Sequence, residues 1–182
     1  MSIYLDHNAT TLLDADVVNA MATALREQFG NPSSVHTFGQ QAKAALDEAR
    51  DRVAALLGAA PSEVVFTAGG TESDNLALRG VAGMPDTASR RHIVVSAFEH
   101  EAVLNTARAL GRLGWTVTEI PVGPLGVIDP DVLEQALRPG TAIVSVMHAN
   151  NEIGTIQPIA ELSRRAHQAG ALFHTDAVQS AG

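Results

Sequence analysis

The chain has 182 residues, of which 12 are basic and 20 acidic, for a net charge of −8, and 46% of it is hydrophobic. That length and composition suit one folded domain with a real core and exclude a disordered chain. The acidic balance argues against a partner held through nucleic-acid phosphates, and the absence of cysteine excludes disulfides, thiolate metal sites and a cysteine nucleophile within these residues.

The opening residues, MSIYLDHNATT, carry no basic stretch and no long apolar run, so no signal peptide is expected. No segment approaches the ~20 apolar residues of a membrane span, and a cytoplasmic location is the expectation. The first amphipathic segment runs from Asp14 to Gln28, with Val17, Met21 and Leu25 at spacing four and Asp14 as N-cap. An irregular stretch, Phe29–Ser34, precedes a longer helix predicted over Ser34–Leu57. Its apolar stripe is Val35, Phe38, Ala42, Leu46, Ala49, Val53 and Leu56, and Gly58 closes it. These elements make residues 1–57 an N-terminal helical segment.

From residue 58 the pattern changes to strands alternating with helices. β-rich runs fall at Val64–Thr67, His92–Ser96, Thr116–Pro121, Ala142–Val146 and Leu172–Asp176, with helical patterns over 71–82, 100–113, 130–137 and 158–169. Gly114 and Gly170 follow two of those helices, and Asp129-Pro130 reads as an N-cap followed by proline at the first helical position. A surface loop is expected over Met84–Arg91. The alternation predicts an α/β fold with a mostly parallel sheet, right-handed crossovers and flanking helices.

Four segments follow predicted strands, on the sheet edge where ligands bind in open α/β folds. In Phe66–Asn75 a glycine pair precedes a helix start, so Gly70 and Thr71 offer free N–H groups and a hydroxyl to a phosphate. The segment lacks the Gly-Lys-Ser/Thr of a P-loop and the GxGxxG of a dinucleotide site; the alternative is a tight turn with a capping threonine. His100 can stack on a flat ring or move a proton, or simply cap its helix. Asn151, in Met147–Gly154, offers an amide to a ligand, or an Asx-type turn. Asp176 ends an apolar strand, where a carboxylate needs a strong partner such as a protonated pyridine nitrogen. His174 shares its strand face, which opens a metal-site reading, but no metal-binding spacing supports it and no metal is expected. Together these groups match the needs of pyridoxal 5'-phosphate (PLP).

The segments YLDHNATT, GNPSSVHTFG, VVFTAGGTESDNLAL, FEHEAVL, SVMHANNEIGTIQPI and HTDAVQS resemble, in order, the N-terminal half of cysteine desulfurases, which are class V aminotransferase-like, fold-type I PLP enzymes. The resemblance implies that residues 58–182 are an incomplete PLP-binding large domain. It implies that Gly70 and Thr71 hold the phosphate, and that His100 stacks on the ring and assists proton transfer. Asn151 then lies beside the ring, Asp176 pairs with the pyridine N–H, and Gln179 bonds the ring's phenolic oxygen. The implied reaction converts L-cysteine to L-alanine and an enzyme-bound persulfide for iron–sulfur clusters or tRNA thiolation. A homodimer and sulfur-acceptor or scaffold proteins are the implied partners.

The family's PLP-anchoring lysine and persulfide cysteine are expected beyond Gly182, and the single lysine here, Lys43, is expected to face solvent, so the 182 residues alone are expected to be inactive. The alternatives are a selenocysteine lyase, a cysteine sulfinate desulfinase, an aminotransferase of the same class, a catalytically dead α/β remnant, or a non-enzymatic nucleotide- or partner-binding module. In the fold so implied, the run Val64–Thr67 has no neighbour among the other four strands, which pair among themselves.

Overall fold

The computed structural model describes residues 2–85 and 89–181. It divides into two compact units, Met1–Phe66 and Thr67–Ala181. In the first unit, helix α1 (Ala15–Glu27) starts where Asp14 accepts a hydrogen bond from the Asp16 N–H. Helix α2 spans Thr37–Leu57, three residues shorter at its start than the periodicity predicts. Asn31 is the reason: its side chain accepts from the Ser33 N–H at 2.9 Å and its carbonyl from the Ser34 N–H, holding a turn that the helix cannot enter. His36 caps α2 and Gly58, at φ +65°, ends it. Lys43 lies exposed on α2, paired with Asp47 at 2.5 Å.

Val64–Thr67 forms no strand. The Arg50 guanidinium donates to the Val64 carbonyl and lies 4.9 Å from the Phe66 ring centroid. The expectation that this run would find no partner among the other four strands therefore holds.

The second unit is a four-stranded parallel sheet with one helix before its first strand and one between each successive pair. Its strands are β1 (His92–Ser96), β2 (Thr116–Ile120), β3 (Thr141–Ser145) and β4 (Leu172–His174), in the spatial order β2-β1-β3-β4. The helices are α3 (Gly70–Gly83), α4 (Glu101–Arg112), α5 (Pro130–Ala136) and α6 (Ile159–Gln168). Every residue of β1 and β3 is buried, as expected for central parallel strands covered on both faces, while β2 and β4 form the edges. One core cluster gathers Val94, Ile120, Leu133, Val144 and Leu162; the other gathers Leu78, Ile93, Val103, Leu110 and Ile143. Successive residues of β1 and β3 alternate between the two clusters, as strand geometry requires.

Strand ends differ from the sequence reading by one or two residues. β2 stops at Ile120 because Pro121 has no N–H to donate. β3 begins at Thr141, and β4 ends at His174, although the His148 N–H still bonds the Asp176 carbonyl at 2.8 Å. Asp129 caps α5 with Pro130 at its first position, and Gly114 and Gly170 take φ of +91° and +77° behind α4 and α6. The loop expected over Met84–Arg91 includes residues 86–88, which lie outside the described residues.

At the amino ends of the strands, buried His92 bridges Thr141 at 2.8 Å and Thr118 at 2.9 Å, bracing three strands. The carboxyl ends of the same strands carry the candidate site.

Candidate cofactor site

The first turn of α3 forms one wall of a cleft of about 500 Å³ lined by Ala68, Gly69, Gly70, Thr71, Glu72 and Asn75. The N–H groups that open a helix have no intrahelical acceptors, and their dipoles point outward toward any anion bound there. Glu72 turns back to accept from the Ala68 N–H at 2.6 Å, and the Thr67 hydroxyl meets Ser73 at 2.6 Å, so side chains fix the turn. Asn75 holds α3 to α4: it accepts from the Thr106 hydroxyl at 2.8 Å and donates to the Thr71 carbonyl at 2.9 Å.

Gly70 is where a missing side chain matters. A Cβ there would stand 2.9 Å from Cγ2 of Val178, closer than van der Waals contact permits. The glycine therefore lets the segment after β4 lie against the first turn of α3. That segment carries Asp176 and Gln179. Asp176 is half-buried, its Oδ1 accepts from the Val178 N–H at 3.0 Å, and its carbonyl accepts from His148. Gln179, the residue after Val178, is exposed.

His100 caps α4, its Nδ1 accepting from the Ala102 N–H at 3.1 Å. The capping reading and the ligand reading of this residue are compatible, because the other ring nitrogen stays free of the cap. His100 lines a groove with Thr71 and Asn75, and also a second cleft, of about 510 Å³, with Phe98, Glu99 and Asn151. Thr71 thus shares a groove with His100, and His100 shares a cleft with Asn151. Asp176 and Gln179 join this edge through the Gly70–Val178 contact rather than through a common cavity.

Three residues that sequence reasoning did not single out hold these segments in place. Asn150, the buried member of the asparagine pair, accepts from the Glu152 and Ile153 N–H groups at 2.9 and 3.0 Å and donates to the Phe98 carbonyl at 3.2 Å. Gln157 accepts from the Ile128 N–H at 2.9 Å and donates to the Gly126 carbonyl at 2.7 Å. Glu99, 5% exposed, accepts from the Ser96 hydroxyl and, at 2.7 Å, from the Met147 N–H. Burial raises its carboxyl from the ordinary 4.5 to about 7, against the hydrogen bonds from Ser96 and Met147. The adjacency of Glu99 to His100 and of Asn150 to Asn151 was the only sequence signal for two of the three.

His174 turns to protein groups. Its Nδ1 meets the Ser145 hydroxyl at 2.8 Å and its Nε2 lies 3.5 Å from buried Asp74 Oδ1. Among the described residues no group of three or more His, Cys, Asp or Glu side chains is arranged to hold a metal ion.

The donor set suits PLP. A helix start accessible to a phosphate, a ring-sized imidazole, an amide and an edge carboxylate stand at the carboxyl ends of one parallel sheet, with a glycine where a Cβ would force them apart.

This architecture is that of part of a fold-type I PLP-enzyme large domain, and the chain belongs to the aminotransferase class-V family, whose model matches residues 3–182. It is 50% identical over 180 residues to the cysteine desulfurase IscS of Dictyoglomus turgidum, covering 99% of this chain and 45% of that protein. A solved NifS-like protein superposes with a TM-score of 0.93 at 41% identity, over 99% of this chain and 50% of that one. SspA, solved in complex with cysteine, superposes with a TM-score of 0.93 at 38% identity, over 98% of this chain and 51% of that one. The chain therefore spans about half the length of the relatives it matches, and corresponds to their N-terminal half.

Proposed function

We propose that these residues form the cofactor-cradling part of a PLP-dependent cysteine desulfurase. In this reading residues 1–57 are a helical segment and 58–182 the cofactor-binding part. The observation that supports it is the close approach of Val178 to Gly70, which brings a helix start beside the segment bearing Asp176. When bound, PLP supplies an electron sink that weakens bonds at the substrate's α-carbon. The N–H groups of Gly70 and Thr71, with the Thr71 hydroxyl, hold the phosphate. Asp176 accepts the pyridine N–H and keeps that proton in place, and Gln179 donates to the phenolic oxygen. His100 covers one ring face and moves a proton to or from substrate, while Asn151 lies beside the ring.

The substrate proposed is L-cysteine, supported by the names of the relatives, with sulfur passed on to acceptor or scaffold proteins and a homodimer as the working unit. No helix among the described residues is long and apolar enough to cross a membrane, and a cytoplasmic location remains part of the proposal.

The test is a titration with pyridoxamine phosphate, which needs no lysine, followed by the cofactor's absorbance and fluorescence. Saturable binding is expected, weakened about tenfold or more in Asp176→Asn, equivalent to at least ~1.4 kcal/mol. Absence of binding, or equal binding by the variant, would overturn the proposal. The 182 residues alone, given PLP and L-cysteine, are expected to release no sulfide above the free-PLP background, since they hold no cysteine and only the exposed Lys43.

A further inference from the structure

Glu99 has an arrangement that helix capping and core packing do not account for. Both of its donors, the Ser96 hydroxyl and the Met147 N–H, converge on Oε1. Oε2 is buried with no hydrogen-bond partner. Ser96 is the last residue of β1, and Met147 is the second residue past the end of β3. The carboxyl thus joins the ends of two central strands. On one side it is followed by His100; on the other the chain runs from Met147 to Asn151. Asn150 makes a second tie between the same two segments, through the Phe98 carbonyl.

We propose that Glu99 is a positioning residue: its carboxyl is a clasp that sets the spacing between His100 and Asn151, the two side chains assigned to the ring face and ring edge. The inference rests on the PLP reading for its consequence, but the clasp itself is a property of the protein. A carboxylate with one bare, buried oxygen is costly, and a proton on Oε2 removes the charge without disturbing either bond to Oε1. The charged groups that bear on Glu99 are His174 on β4 and Asp176 just beyond it; His174 favours the ionised carboxyl and Asp176 opposes it. With the proton on Glu99, that carboxyl puts no negative charge beside Asp176, the group proposed to meet a pyridine N–H. Deprotonation places a second negative charge beside it and loads the clasp with an unsolvated oxygen. The cradle is therefore sensitive to the protonation of a residue whose hydrogen bonds all go to protein groups.

The experiment compares Glu99→Gln, which keeps an Oε1 acceptor and has no charge, with Glu99→Ala, which removes the clasp, in the protein as its gene encodes it. In the cofactor-free protein, the Glu99 side-chain carbon resonance, assigned by its loss in Glu99→Gln, is expected to titrate near 7. Titration in the ordinary carboxylate range would overturn the proposal. The Met147 amide resonance is expected to move with the same midpoint in wild type and to be pH-independent in Glu99→Gln; independence in wild type would overturn it.

With PLP added, the visible circular dichroism of the bound cofactor is expected to change about twofold or more across neutral pH in wild type. It should be flat in Glu99→Gln and weak at all pH in Glu99→Ala. An alanine variant indistinguishable from wild type, or a glutamine variant as damaged as alanine, would overturn the positioning role. If alanine fails to fold, the glutamine variant and the two titrations still decide. A wild-type protein that shows the titrations but binds no PLP would sink the cofactor reading and leave the clasp standing.

Discussion

Helix α1 repeats its apolar residues at Val17, Met21 and Leu25 and buries none of its thirteen residues. Helix α4 has an equally clear apolar face and buries six of its twelve, among them Val103, Ala107 and Leu110. The two sequences are equally readable as amphipathic helices, yet they differ in what covers them. α4 is the crossover between β1 and β2, and a right-handed crossover between neighbouring parallel strands must lie on the sheet. α1 belongs to no such unit, and Leu25 stays 82% exposed. Periodicity therefore defines a face, and topology decides whether that face is filled. The same contrast separates the two units at large: the fully buried side chains Leu78, Val94, Val144 and Leu162 all lie in Thr67–Ala181.

The largest expected effect tests this contrast directly. Leu162→Ala removes a side chain with no exposure from the cluster beneath β1 and β3, and is expected to cost about 2–5 kcal/mol. Leu25→Ala, at an exposed position of comparable chemistry, is expected to change stability by no more than about 0.5 kcal/mol. Denaturant unfolding of both variants measures the two numbers. Equal losses would mean that α1 is covered in solution and would erase the distinction.

A second expectation uses charge in place of volume. Burial pushes the Glu99 carboxyl up from the ordinary 4.5 to about 7. Its folded pKa is raised, so its contribution to stability is fully present below 4.5 and is lost as pH rises through 7. Glu99→Gln should therefore gain on wild type between pH 5 and 8, by at most about 3 kcal/mol. His92 acts in the opposite sense. Burial, aided by the Arg138 charge, lowers its pKa from 6.5, so the stability it contributes above 6.5 is lost as pH falls below that value. The glutamine variant should retain only this acid-side loss. Unfolding curves at several pH values separate the two slopes, and a variant parallel to wild type throughout would place Glu99 outside the buried core.

Much of the fold was legible because local chemistry and tertiary structure agree. Asp14, Asp129-Pro130, Gly58, Gly114 and Gly170 each occupy the cap or turn that their side chains favour. All four strands that pair were foreseen, and their errors lie at the ends, where Pro121 and the turn after His174 stop the ladder. Val64–Thr67 was β-rich but made no strand, since propensity cannot supply a neighbour. At the candidate site, the residues proposed to meet a ligand were singled out by their types: a glycine pair, a histidine and a carboxylate. Glu99, Asn150 and Gln157 were not, because the bonds by which each ties two segments together go to backbone groups remote in sequence: Met147, Phe98 and Ile128. A residue that serves distant backbone leaves no spacing to read.

The smallest expected effect sets two matched helix caps against each other. Asp14 and Asp129 each accept from the N–H two residues ahead, at 2.8 and 2.9 Å. Replacing such a cap by alanine typically costs about 1 kcal/mol of helix stability. Whether that loss reaches the global stability depends on whether the helix must unfold with the core. α5 is pinned by buried Leu133 and by Arg165, which reaches from α6 to both Asp131 and Glu134. Asp129→Ala should therefore lower the global unfolding free energy by close to the full ~1 kcal/mol. α1 has no buried residue to couple it to any core, so its fraying is a local event. Asp14→Ala should leave the main unfolding transition within about 0.3 kcal/mol of wild type and should appear instead as faster amide exchange over the first turn of α1. Equal shifts of the main transition in both variants would show that α1 unfolds together with the sheet.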